Sequence, residues 1–206
     1  MVPWFHRARV IALVLFSWEL ATPSVVAAQV RVGLTAGTLV YGGATTPTAG
    51  GDTNAVLRPH SSFALGVTVS YQRSAWRGRL GVEGSSPGAV ATVKGLESAD
   101  RTILDLVVLE PALERRLLVT SEGAAAWLEV GVSVHYWMPY TEDVRFRTGG
   151  TAALVWTQRA TRHLDLSVRA HGSVSPSPFV QGDLPPELKP TTLWRWGVTL
   201  ELARRL

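Results

Sequence analysis

The sequence predicts an all-β protein, an eight-stranded antiparallel up-and-down transmembrane β-barrel. Three observations predict it: apolar and small polar residues alternate with a period of two in eight segments, the connections alternate between short and long, and the polar phase is almost free of lysine. Alternation with a period of two puts one set of side chains on each face of a sheet. Residues 127–138, "WLEVGVSVHYWM", show it plainly, with Leu128, Val130, Val132, Val134, Tyr136 and Met138 on one face and Trp127, Glu129, Gly131, Ser133, His135 and Trp137 on the other.

Residues 1–28 stand apart from the rest. His6, Arg7 and Arg9 precede an apolar run, Val10 to Phe16, and "ATPSVVAA" then supplies the small residues of a cleavage site before Gln29. Ser17 and Glu19 break that run well short of the roughly 20 apolar residues a spanning helix needs. A signal peptide at 1–28 and a single barrel domain at 29–206 are therefore expected. There is no cysteine, so the domain must rest on its backbone ladder and packing. A net charge of +4 with no basic run among aromatics argues against a nucleic-acid partner.

The strands are expected at 29–41, 62–73, 77–84, 101–116, 124–138, 151–160, 163–174 and 191–203. Pro111 excludes a helix through "LVVLEPALERRLL", which reads as a strand with a bulge near Val107 and Val108. The second, fourth and sixth strands end in the short connections "SAW", "LLVTSEG" and "TR". Segments 42–61, 85–100, 139–150 and 175–190 are long and rich in Gly, Pro, Ser and Thr. Short turns at one end and long loops at the other fit a barrel inserted from one side of a membrane.

The faces can be assigned from their composition. A water-facing sheet carries many Lys and Glu, yet the chain has two lysines, Lys94 and Lys189, both in or beside loops. Small residues with single charges instead suit the lumen of an eight-stranded barrel, which side chains fill. The lumen phase holds Arg31, Glu83, Glu110, Glu129, Asp165, Arg169, Arg195 and Glu201, expected to pair as an arginine and carboxylate network. Arg31, Arg169 and Arg195 are the candidate partners of Glu129. Val30, Leu65, Val67, Val132, Val134, Leu166 and Val198 occupy the phase expected to face lipid. Trp76, Trp127, Trp137, Tyr140, Trp156, Trp194 and Trp196, with Tyr41 and Tyr71, fall mainly near strand ends, where amphipathic rings favour the headgroup region, although Trp127 and Trp137 lie on the polar phase of their strand.

With its leader, eight amphipathic strands, alternating connections and charged lumen phase, the chain resembles the small eight-stranded outer-membrane β-barrel proteins, the group that includes the OmpA transmembrane domain and OmpX. The likeness is one of architecture over the whole of 29–206. It implies residence in the bacterial outer membrane, with outer-membrane lipid as the surrounding partner. Proteins of that group end in a strand with a terminal aromatic; here "WRWGVTLELARRL" keeps the alternation to Leu202 and closes on Leu206.

Chemistry is sparse in the sequence. His171 and Ser173 share a strand face near the loop that contains Glu187, and outer-membrane lipid A deacylases use a His and Ser two apart on a strand. "VSPSP" after Ser173 does not continue that motif, and the pair falls on the lumen phase. No enzyme activity, metal or cofactor is expected, since His60, His135, His163 and His171 are scattered. The expected role is structural, or surface interaction through the four long loops, by a monomer. The alternatives are a narrow channel, a soluble lipocalin-like carrier with its faces reversed, and the lipid A hydrolase.

Overall fold

In the computed structural model the described residues are 29–48, 55–94, 96–100, 103–140 and 143–206. The expected signal peptide lies outside them. Among the described residues eleven strands form: β1 (Gln29–Pro47), β2 (Val56–Pro59), β3 (Ser62–Arg73), β4 (Trp76–Ser85), β5 (Ala89–Val93), β6 (Leu96–Asp100), β7 (Leu104–Val119), β8 (Ala125–Pro139), β9 (Arg145–Arg159), β10 (Leu164–Pro176) and β11 (Leu188–Arg205). Eight of them close into a barrel in the order β1, β11, β10, β9, β8, β7, β4, β3, every neighbouring pair antiparallel. That order is sequential, so the topology is up-and-down. Closure by β1 on β11 runs from Arg31 opposite Arg205 to Pro47 opposite Leu188 and removes the sheet edges.

Four features differ from the sequence reading. β1 continues to Pro47 and β9 starts at Arg145, so both climb past the expected ends at the loop side. The first two long loops also carry strands, since β2, β5 and β6 pair as a separate antiparallel three-stranded sheet. The bulge expected at Val107 and Val108 is absent, because Val107 and Val108 pair regularly with Tyr136 and His135. The β7–β8 register shifts instead between Arg116 and Leu118, where the short turn begins.

Two backbone positions explain how the wall is built. The β1–β11 register slips between Gly43 and Thr45, where Gly43 has φ +74° and a Cβ would sit 2.1 Å from the Thr192 carbonyl oxygen. Only glycine fits that conformation at that distance. Pro111 has no N–H for the ladder, and the β7–β8 register passes across it unchanged, from Leu109 opposite Val134 to Ala112 opposite Gly131. A Cβ on Gly131 would stand 2.5 Å from the Pro111 carbonyl oxygen, so the strand facing the proline needs glycine there.

The alternation resolves into an apolar exterior and a polar interior. Leu65 is 53% exposed, Val132 51% and Leu200 54%, while Glu129 opposite them in phase is 0% exposed. Phe63, Phe146, Trp194 and Trp196 ring the outside toward the loop end; Tyr71, Trp76 and Trp156 do so toward the short turns. From Phe63 to Tyr71 a strand rising about 3.3 Å per residue covers about 26 Å. Tilted near 40°, it crosses about 20 Å, comparable to an apolar band about 25 Å tall. With Trp127 and Trp137, which are buried on the inward phase of β8, Tyr41 departs from the expected belt. It points inward and is buried against Trp137, with ring centroids 6.2 Å apart.

Candidate functional site

The interior has three layers, each set by strand phase. Nearest the short turns, Asp165 of β10 lies between Arg31 of β1 at 3.2 Å and Arg205 of β11 at 2.5 Å. Beside it Arg77 of β4 pairs with Glu114 of β7, and the Arg77 guanidinium stacks 4.4 Å from the Trp127 ring. In the middle layer Arg169 reaches across the lumen to Glu129 at 2.6 Å and Glu110 at 3.0 Å. Arg195 takes the other oxygen of Glu110 at 2.5 Å, Glu83 at 3.1 Å, and donates through Nε to the Ser173 hydroxyl at 3.2 Å. Arg79 stands 3.9 Å from each of Glu110, Glu129 and Glu201.

The structure thus brings Glu83, Glu110, Glu129, Arg169 and Arg195 into one connected cluster, with Arg31 and Asp165 in a second. Of the three candidate partners for Glu129 it is Arg169 that bonds it. Glu201 is half-buried and stands 3.9 Å from Arg79. Arg77, Arg79 and Glu114 were missed by the sequence reading, although Arg77 and Arg79 share the strand phase of Glu83 and Glu114 that of Glu110. Burying these charges in pairs offsets a desolvation cost of several kcal/mol per ion, about what each would suffer alone.

Toward the loop end the lumen turns apolar. Leu39, Tyr41, Ala64, Leu104, Leu106, Val108, Trp137 and Leu193 pack into one buried cluster, with Phe179 against it. His135 lies beneath, its Nδ1 3.2 Å from the Ser175 hydroxyl. The central cavity beside Arg79, Glu83 and Glu110 measures about 10 Å³, room for one water. His171 has neither ring nitrogen bonded to a described residue, and Ser173 is engaged by Arg195 rather than by His171. The relay a serine hydrolase requires is therefore not formed at "HGS". Glu187 is exposed on the loop. Among the described residues no group of three or more His, Asp or Glu is arranged to hold a metal.

Val30, Leu65, Val67, Val132, Val134, Leu166 and Val198 all lie on the outer wall; Val30, Val67 and Val134 are half-covered by neighbours and the others are exposed. Among the described residues that wall has a break between β9 and β10. β9 pairs with β10 only as far as Gly150 opposite Val174, although β9 runs on to Arg145 along β8. Pro176 and Pro178 have no N–H to extend the ladder. Side chains bridge the gap instead: Arg147 Nε donates to the Ser177 carbonyl at 2.6 Å and Arg145 to the Pro178 carbonyl at 2.9 Å, while Arg145 also pairs with Asp183. A groove of about 940 Å³ opens there, lined among others by Phe146, Thr148, Val174, Pro176, Phe179 and Pro190.

An exposed apolar wall around a closed ladder with paired charges inside defines a small transmembrane β-barrel. A lipocalin-like carrier has the opposite arrangement of faces. Two solved structures share this fold. The crystal structure of the outer membrane protein OprG from Pseudomonas aeruginosa superposes with a TM-score of 0.53 at 12% identity, over 87% of this chain and 96% of that one. The crystal structure of Neisserial surface protein A (NspA) does so with a TM-score of 0.50 at 12% identity, over 86% and 97%. No family model and no curated protein matches the sequence.

Proposed function

We propose that the protein is a non-conducting, non-enzymatic barrel of the bacterial outer membrane whose role is structural or is exercised at its loop end, facing outward from the cell. The observation that carries this reading is the filled lumen: the Arg169 and Arg195 cluster occupies its middle and the Tyr41–Trp137 cluster its loop end. Side chains filling both layers argue against a continuous water path. The surface left for recognition is the end that carries the three-stranded sheet, the groove beside β9 and the long segment before β11. Loops held by a rigid scaffold are where binding residues concentrate.

Two measurements test it. Planar-bilayer recordings of the refolded protein give no conductance steps; regular steps would make it a channel. Trypsin added to intact cells cuts after Lys94 and spares Arg162 in the β9–β10 turn until the cells are opened. Cleavage at Arg162 in intact cells would invert the orientation.

A further inference from the structure

The outer wall carries one feature that neither lumen nor loops explain. At the short-turn end, Arg73 of β3 stands opposite Trp76 of β4, and Trp76 opposite Arg115 of β7, so the three form one row across adjacent strands. All three are exposed and share the outward phase of Tyr71, Leu80 and Leu113. The Arg115 guanidinium stacks 5.0 Å from the Trp76 ring centroid. Two strand spacings, about 10 Å, separate the arginine backbones, so both guanidinium groups can close on one oxyanion lying over the indole.

Basic groups outnumber acidic ones around the row. Arg116, Arg159, Arg162 and Arg204 lie at the same end. The carboxylates of this region, Glu114 and Asp165, point inward and are paired with Arg77, Arg31 and Arg205, which leaves Glu122 in the β7–β8 turn as the exposed acid among the described side chains there. The loop end, by contrast, mixes Asp105, Asp143, Asp183 and Glu187 with its basic residues. The row sits directly below the apolar wall and beside Tyr71, at the depth where a bilayer keeps its phosphates.

We infer that Arg73, Trp76 and Arg115 form a binding site for the phosphodiester headgroup of an anionic phospholipid in the leaflet at the short-turn end. The inference rests on the membrane-spanning reading. Bidentate guanidinium groups recognise the phosphate, and the indole floor excludes water from beneath it. The outward phase selects a membrane lipid over a soluble anion, because the acyl chains of a bound lipid then run along Leu80, Val82 and Leu113.

The test is native mass spectrometry of the folded protein released from detergent with phosphatidylglycerol or phosphatidylcholine of identical chains. Heat-modifiable gel migration checks folding and insertion separately, so a failure of the barrel reading is distinguishable from a failure of the site. Phosphatidylglycerol adducts should exceed phosphatidylcholine adducts roughly thirtyfold, the scale of two basic side chains at an anionic surface. The R73Q/R115Q variant should lose that preference, and R162Q, outside the row, should keep it. Equal retention of the two lipids, or a preference that survives R73Q/R115Q, overturns the site. An equal loss in R162Q would make the whole basic rim responsible and likewise overturn it. Excess glycerol phosphate should leave the lipid adducts in place; displacement would show a site for a free phosphate.

Discussion

Replacing Arg195 with leucine tests the interior directly. Its guanidinium is 1% exposed and holds Glu83 at 3.1 Å, Glu110 at 2.5 Å and the Ser173 hydroxyl at 3.2 Å. Glu110 keeps Arg169 at 3.0 Å after the change, but Glu83 loses the one arginine bonded to it among the described residues. Leaving a buried charge without its partner costs about 3–5 kcal/mol. Leucine also cannot replace the bond to Ser173, so the loss should lie within that range. Urea unfolding in lipid vesicles, followed by gel migration and tryptophan fluorescence, reads it. R195L/E83L removes the orphaned carboxylate with its partner and should recover part of the loss, with a coupling energy of about 2–3 kcal/mol. An R195L variant within about 0.5 kcal/mol of the parent would refute the network as a structural element. So would a double variant whose effect is the plain sum of the two single ones.

Two further outcomes follow from the same geometry. Val132→Arg, on the outer wall in the middle of β8, should cost about 2–4 kcal/mol in a bilayer if it lies near the midplane; a neutral result there would place that face elsewhere. His171→Ala should leave the lipid A species of expressing cells unchanged by mass spectrometry, because His171 does not bond Ser173; an altered lipid A profile would revive the hydrolase.

The sequence was most legible where the two faces of a strand differ in polarity. In β3, β10 and the second half of β11 the apolar residues alternate with Ser, Thr, Arg and Glu without a break, and the phase read from them is the phase in the structure. Legibility failed where the interior itself is apolar. Leu104, Leu106 and Val108 line the lumen beneath the loops while Val107 and Leu109 face out, so "LDLVVLE" is apolar on both faces and its period disappears. That loss was misread as a bulge. Tyr41 was misplaced for a different reason: it was assigned by its position near a strand end, although the phase of Arg31, Gly33 and Thr35 carried on to residue 41 points it inward.

The three-stranded sheet was illegible for another reason. β2, β5 and β6 are each four or five residues long and set among Gly, Pro and Ser, too short for alternation to register. The partners within the charge cluster depend on contacts between strands far apart in the chain. Phase placed Glu129 inside; only the register of the closed barrel set Arg169 of β10 across from it.

The central claim is the orientation of the two faces, and the cysteine-free sequence makes it directly measurable. Single cysteines placed in turn at positions 128–134 carry a nitroxide, and its collision rates with oxygen and with a water-soluble nickel complex are read in a bilayer. Leu128, Val130, Val132 and Val134 should give high oxygen and low nickel accessibility, with Glu129, Gly131 and Ser133 low for both. Oxygen maxima at the odd positions, or nickel access at the even ones, would contradict it.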